Sequence, residues 1–365
     1  MNIVVSGGGT AGHINPALAL ADILRSQGHT VYYAGTPTGI ESRLVPQEGF
    51  PFQGFDAAGF NRRHPATLVT SSKRILASTS KAKQWFKEIK PDCVVCFGGY
   101  VCIPVGLAAE QCKIPVVVHE QNSIMGMANK FLAKKAEAVA LTYAVAGEPV
   151  ADKTKITVTG NPVRSSVFRA TRAEGRAYAQ VPEDALMLVV FGGSLGARHL
   201  NTAVAHLKDE LLARPNLYIR HITGPKEYDT VVEQLALSDE EEQRWQVIGY
   251  EDNMGAVLAA CDMVVSRAGA TSLAEISALK IPALLVPFPF ATADHQTTNA
   301  REYVDAGAAF MVADDRVETP EFTEALMRLV DEPDVREDMR KAAEEFHTED
   351  AAAKLADVVK GAVSA

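Results

Sequence analysis

No uninterrupted apolar run in this chain reaches the roughly 20 residues that a membrane-spanning helix needs. Nor does Met1-Asn2-Ile3-Val4-Val5, which enters strand-like sequence at once, carry the charged n-region and apolar h-region of a signal peptide. Cysteine is sparse and odd in number: Cys93, Cys96, Cys102, Cys112 and Cys261 lie mostly in apolar patterns rather than metal-type loops. Cys93 and Cys96 have redox spacing, but Pro91 to Phe97 reads as a buried strand, so core thiols and a cytosolic compartment are expected. A net charge of −9 supplies no broad basic surface, which argues against a general nucleic-acid partner. Clustered carboxylates are missing as well. Asp314-Asp315 is an adjacent pair in a charged surface segment, so neither a bound metal nor another cofactor is expected.

What is present is an ordinary globular composition, 47% hydrophobic and 22% charged, over 365 residues, enough for two domains with sizeable cores. Two glycine-rich turns stand out. Gly7-Gly8-Gly9-Thr10-Ala11-Gly12-His13 follows the apolar run Ile3-Val4-Val5, and Gly192-Gly193-Ser194-Leu195-Gly196-Ala197 follows Leu188-Val189-Val190-Phe191. Each opens a helical pattern, so backbone N–H groups gather where open α/β sheets bind ligands and can receive a phosphate or an oxyanion.

Strand-like and helical stretches alternate through both halves, the signature of parallel sheets covered by helices. The reading is strands at 2–6, 30–34, 92–96 and 115–118 with helices at 14–27, 72–89 and 103–111. A second set has strands at 186–191, 217–222, 246–248, 262–265 and 282–286, with helices at 199–213, 226–236, 253–259 and 271–279. The fold class expected is α/β, two Rossmann-like parallel-sheet domains facing a cleft. Thr159-Gly160-Asn161-Pro162 is a turn cluster and marks the hinge. Domains are expected at 1–160 and 161–340, with a last amphipathic helix near 337–363 that makes 341–365 a tail returning to the first domain.

Gly7-x-Gly9-x-x-Gly12 also fits the dinucleotide fingerprint, but the second strand ends in Gly35-Thr36, where that fingerprint wants an acid for the ribose, so a nicotinamide enzyme is disfavoured. His13, at the first turn of a helix, sits among backbone donors that disfavour an added positive charge and suit a proton acceptor. It is a candidate general base, or a group positioned beside one. A capping or packing role is the plainer alternative. His119-Glu120-Gln121-Asn122 follows the strand Val116-Val117-Val118, and Glu120 is placed to orient His13 or share the base role, against loop hydrogen bonding and helix capping. Ser272-x-x-Glu275 has capping-box spacing, while Gly269 and Ala270 leave room for a ligand against the backbone and Glu275 can accept from ribose hydroxyls. The Gln296 amide suits sugar hydroxyls because it donates and accepts, and Arg164 offers a forked cation for a phosphate. Either is equally a surface residue. From Arg62 to Lys90 eight basic residues face a single acid, Glu88, with Leu68, Val69, Ile75, Leu76, Trp85 and Phe86 interleaved. That stretch is either a contact for an anionic membrane surface or a solvated helix face with its apolar side in the core.

These segments, with Phe97-Gly98-Gly99-Tyr100, Gly126, Asn129-Lys130, Thr159 to Arg164, Arg267-x-Gly269-Ala270 and Asn299-Ala300, occur in an order that resembles glycosyltransferase family 28, the lipid-linked N-acetylglucosaminyltransferases of bacterial peptidoglycan synthesis. The resemblance covers essentially the whole length. It implies the two-domain GT-B fold and an inverting hexosyltransferase, moving GlcNAc from UDP-GlcNAc to the MurNAc C4 hydroxyl of lipid I (undecaprenyl-pyrophosphoryl-MurNAc-pentapeptide). It also implies that Thr10, Ala11, Gly12, Asn122, Arg164, Ser194, Ile248, Ala270, Thr271, Ser272, Leu273, Ala274, Glu275 and Gln296 contact the UDP-sugar, with His13 and Glu120 catalytic. Ala11 stands where many relatives have glycine. A lipid acceptor implies a peripheral position on the cytoplasmic face of the cell membrane, against the anionic inner leaflet. The rival readings are a UDP-GlcNAc 2-epimerase on the same scaffold, with no use for a membrane face, and a non-catalytic nucleotide-sugar-binding protein.

Overall fold

A computed structural model describes residues 1–57, 66–193, 196–346 and 350–364. The chain forms two compact units, Met1–Arg164 with Asp350–Ala365, and Ser165–Glu349.

The first unit is built on a seven-stranded parallel sheet. Its strands are β1 (Asn2–Ser6), β2 (Thr30–Gly35), β3 (Phe52–Gly54), β4 (Cys93–Cys96), β5 (Val116–Glu120), β6 (Ala138–Leu141) and β7 (Ile156–Val158), in spatial order β3-β2-β1-β4-β5-β6-β7. The helices between them are α1 (Ala11–Ser26), α2 (Glu41–Gln47), α3 (Ala66–Ile89), α4 (Cys102–Gln111) and α5 (Met127–Leu132). Residues of β1 alternate between two cores, as the period of a strand requires. Ile3 and Val5 join Ile14, Leu18 and Leu24 of α1 on one face, whereas Val4 joins Phe86, Val105 and Leu132 on the other. Because both faces are covered, β1, β4 and β5 read as continuous apolar runs.

The second unit carries a six-stranded parallel sheet of β8 (Leu186–Phe191), β9 (Leu217–Ile222), β10 (Trp245–Ile248), β11 (Met263–Ser266), β12 (Ala283–Leu285) and β13 (Ala309–Met311), ordered β10-β9-β8-β11-β12-β13. Its helices are α6 (Arg172–Ala179), α7 (Arg198–His206), α8 (Lys208–Leu212), α9 (Tyr228–Leu235), α10 (Asp239–Glu242), α11 (Met254–Ala260), α12 (Ala270–Ala278), α13 (His295–Asp305), α14 (Pro320–Asp331) and α15 (Pro333–Phe346). The chain then returns to the first unit as α16 (Ala351–Ser364), whose Leu355, Ala356 and Val359 are fully buried in the core shared with α1.

Three local expectations change. The stretch 337–363 is not one helix but parts of α15 and α16, and 199–213 divides into α7 and α8. The capping box at Ser272 does not form: α12 begins at Ala270 with Gly269 as its N-cap in extended conformation (φ −68°, ψ 138°), so Ser272 lies in the first turn and Glu275 in the second. Ala11 is the first residue of α1 and has an ordinary helical backbone, so this turn asks nothing there that only glycine supplies. All five cysteines are free thiols; Cys93, Cys96, Cys102 and Cys261 are buried and Cys112 half-buried.

Candidate active site

In the first unit the ends of β1, β4 and β5 bring three turns together. The Gly8 N–H donates to the Gly98 carbonyl at 3.3 Å, and the Tyr33 hydroxyl donates to the Gly7 carbonyl at 3.0 Å. Beneath them the buried Cys102 thiol lies 3.0 Å from the Gly98 carbonyl and 3.3 Å from that of Ser6.

His13 stands on this platform, half-buried in the first turn of α1. Its Nδ1 is 2.9 Å from the Gly8 carbonyl oxygen. A carbonyl only accepts, so Nδ1 carries a proton, and in the neutral ring the lone pair is on Nε2. The ring also packs on Gly98, whose backbone is in the left-handed region (φ +110°); a Cβ there would come within 2.9 Å of His13 Cδ2 and 3.0 Å of Nε2. Gly98 is thus required twice, for its torsion and for the space the imidazole occupies.

The orienting group of His13 is therefore the Gly8 carbonyl, and Glu120 does different work. Glu120 is the last residue of β5 and 2% exposed. Its Oε1 accepts from the Asn122 backbone N–H (3.1 Å) and side-chain amide (3.3 Å), while its Oε2 accepts from the Gly126 N–H (2.9 Å) and the Asn129 amide (2.8 Å). The carboxylate thus gathers the turn between β5 and α5 around itself. His119 points the other way, its Nε2–H donating to the Gly160 carbonyl at 3.1 Å while Nδ1 accepts from Gln121 at 3.1 Å. Burial lowers its pKa to about 4, and the Gly160 bond offsets that only in part. Arg164, the last residue of this unit, pairs through Nη2 with Glu48 Oε1.

In the second unit Ser194 and Leu195 lie outside the described residues. Just before α7, Gly196 (φ +77°) packs so closely that a Cβ would meet the Thr223 carbonyl at 2.2 Å. Ile248 ends β10, and its carbonyl accepts from the Thr223 N–H at 2.9 Å. Ala270 to Glu275 form the first two turns of α12. The Gln296 amide is partly engaged within the protein: its Oε1 accepts from the backbone N–H groups of Ala268 (3.1 Å) and Phe288 (2.9 Å), so its NH₂ is the half those two bonds leave unused.

One residue read from the sequence as surface is instead central to this unit. Asp314 pairs with Arg267 Nη1 at 2.5 Å and accepts from His199 Nδ1 at 2.9 Å. Burial raises its pKa, but the bonds from His199 and Arg267 outweigh that and hold the carboxyl below its ordinary value. Arg267 in turn donates to the carbonyls of Val286 (3.2 Å) and Pro287 (3.1 Å). A single carboxylate thereby fastens the start of α7, the turn before α12 and the exit of β12. His199, Asp314 and Glu48 had no local sequence signal, because their partners are remote in the chain.

Two family models match: the glycosyltransferase family 28 N-terminal domain over residues 3–141 and the family 28 C-terminal domain over residues 187–355. A protein of Halalkalibacterium halodurans is 38% identical over 362 residues, covering 99% of each chain, and is named UDP-N-acetylglucosamine–N-acetylmuramyl-(pentapeptide) pyrophosphoryl-undecaprenol N-acetylglucosamine transferase. Among solved structures, Acinetobacter baumannii MurG is similar with a TM-score of 0.75, 28% identity and 99% of each chain covered. The UDP-GlcNAc 2-epimerase of Neisseria meningitidis reaches a TM-score of 0.70 at 14% identity, covering 99% of this chain and 100% of that one, a likeness of fold alone.

Proposed function

The chain belongs to glycosyltransferase family 28, and from that premise we propose that it transfers N-acetylglucosamine from UDP-GlcNAc to lipid I in peptidoglycan synthesis. It is a hexosyltransferase. The full-length relatives do not favour the epimerase or the purely binding alternative.

The observation that carries the chemistry is the contact between His13 and Gly8. With Nδ1–H engaged by a fixed carbonyl, Nε2 has an available lone pair, the arrangement a general base requires. In the reaction we infer, the C4 hydroxyl of MurNAc attacks the anomeric carbon of GlcNAc on the face opposite UDP. His13 Nε2 takes the hydroxyl proton as the new C–O bond forms, and the bond to the diphosphate breaks with its electron pair going to UDP. The configuration inverts and no sugar–enzyme bond forms. Glu120, with both oxygens committed to the turn, is a positioning residue that holds Asn122 in place.

The donor is assigned to Ile248, Ala270 to Glu275 and Gln296, with Thr10, Ala11, Gly12, Asn122 and Arg164 also touching it; Ser194, in the glycine turn after β8, completes the set. Backbone N–H groups of that turn and the start of α7 would receive the departing negative charge.

A polyprenyl acceptor calls for a peripheral surface on an anionic leaflet, which on the cytoplasmic side attracts basic residues. Among the described residues no helix is long and apolar enough to cross a membrane. Support for a surface contact comes from α3, where Lys73, Arg74 and Leu76 (69% exposed) are open to solvent, and from α5 and its flanks, where Ile124, Met127 and Phe131 are exposed beside Lys130, Lys134 and Lys135. Both helices pack on α4. Further along α3 the bland reading holds: Trp85 and Phe86 pack inward with Phe55, and Lys81 donates to the Gly54 carbonyl at 2.9 Å. Arg62 and Arg63 lie outside the described residues.

The deciding assay incubates the protein with UDP-GlcNAc, with and without a lipid I analogue, and follows UDP release and product linkage. Release that depends on the acceptor, with a β-linked disaccharide, is expected. Conversion of the donor to its C2 epimer, or binding without turnover, would overturn the reading.

A further inference from the structure

Glu48 is the C-cap of α2, where the unpaired carbonyls of a helix end disfavour a negative side chain. Its backbone carbonyl accepts from Arg25 Nη1 at 3.0 Å, so Arg25 serves the main chain there. The carboxylate is answered by Arg164, 116 residues away and only one-fifth exposed. Arg164 is poorly satisfied in return, because its Nε is buried without a hydrogen-bond partner. A guanidinium presents five donors in a planar fork suited to two oxygens at once, and here one carboxylate oxygen engages one nitrogen. The result is an incompletely satisfied cation paired with a carboxylate that the local helix field does not favour.

We propose that Glu48 occupies Arg164 in the donor-free enzyme and surrenders it to the diphosphate of the sugar nucleotide, so that this competition sets the donor KM. The inference rests on reading the chain as a UDP-sugar transferase. Glu48 touches no substrate in this scheme and is a positioning residue. The exchange is favourable because a diphosphate offers more charge and a second oxygen for the unused nitrogens, including Nε. What it costs is the Glu48 pair, so removing the carboxylate should tighten binding rather than weaken it.

The test is calorimetric titration of the full chain with UDP and with uridine, for the wild type, Glu48→Gln, Arg164→Ala and the double variant, beside steady-state kinetics. For a partly exposed pair the expected gain is about two- to fivefold in UDP affinity and a matching fall in donor KM, with kcat at saturating donor unchanged. Uridine affinity should not move, since it carries no phosphate, and the gain should vanish in the Arg164→Ala background. UDP affinity that is unchanged or weaker in Glu48→Gln overturns the proposal, as does an equal gain for uridine or one that survives without Arg164. Should Glu48→Gln not fold, the Arg164 Nε–H resonance of the wild type decides: UDP must shift it and uridine must leave it in place. A wild type that binds no UDP at all would instead defeat the functional reading.

Discussion

Among the described residues each unit buries one histidine that cannot easily be charged, and this makes the protein acid-sensitive in a calculable way. His119 in the first unit and His221 in the second are fully buried, and burial lowers their pKa values from 6.5 to about 4 and about 3. Between the folded and unfolded values the unfolded chain binds a proton that the folded chain refuses, so the folded state loses stability as pH falls from 6.5 and stops losing it only below about 4 or 3. At about 1.4 kcal/mol per unit of displacement the full losses are about 3 and about 5 kcal/mol. At about pH 5 only part of each is realised, on the order of 2 kcal/mol per unit of the fold relative to about pH 7.5. The chain's two tryptophans make this measurable, because Trp85 reports on the first unit and Trp245, its ring 6.3 Å from His221, on the second. Urea unfolding of single-tryptophan variants at the two pH values should show the loss in each. His119→Gln keeps a donor toward Gly160 and an acceptor toward Gln121, and His221→Gln keeps a donor toward Asn201. Each replacement should remove about 2 kcal/mol of pH dependence from its own unit and none from the other. A pH dependence unaltered by the replacements would refute the argument.

Gly98→Ala puts a methyl where the His13 ring lies and strains a left-handed backbone, so kcat should fall by at least about a hundredfold, the lower end of what a general base contributes, with donor KM little changed; an unimpaired kcat would remove His13 from the chemistry. Asp314→Asn leaves Arg267 buried without its counter-charge, and a penalty of about 1–3 kcal/mol should appear as weaker UDP binding together with a lower melting temperature; loss of stability without loss of UDP affinity would make the network purely structural. Neutralising Lys73, Arg74, Lys130 and Lys134 together should weaken binding to vesicles of anionic phospholipid by about 1 kcal/mol per charge, measured by co-sedimentation, and binding unchanged on both anionic and neutral vesicles would rule out this face.

The architecture was legible in the sequence wherever burial is two-sided. Ile3-Val4-Val5 and Leu188-Val189-Val190 have no polar face to show, and the glycine turns after them announce the strand ends. Among the strands that escaped, Phe52–Gly54 and Ala309–Met311 at sheet edges and Ala138–Leu141 inside the first sheet are three or four residues long, too short for any period to emerge. The capping box failed for a related reason. Spacing fixes which residues are three apart but not where a helix begins, and Gly269 took the N-cap that Ser272 was expected to fill.

The site was legible in its positions and less so in its roles. His13 and Glu120 both stand at strand ends, and both look like acid–base groups in a list of residue types. What separates them is the company each keeps. Four donors to Glu120 come from within nine residues along the chain, a local pattern that loop residues use to fix themselves. His13 uses one nitrogen on a backbone carbonyl and keeps the other's lone pair, which no spacing rule reveals. Asp314 shows the opposite failure. Its neighbours Asp315, Arg316 and Glu318 make the segment look solvated, yet its partners His199 and Arg267 come from other strand ends, and the chain distance to His199 is 115 residues. Glu48 and Arg164 are parted by a similar distance. Residues that tie loops together across a sheet carry their information in the partner rather than in their own surroundings. In a fold whose turns converge at strand ends, those connections are the part of the site that sequence patterns leave out.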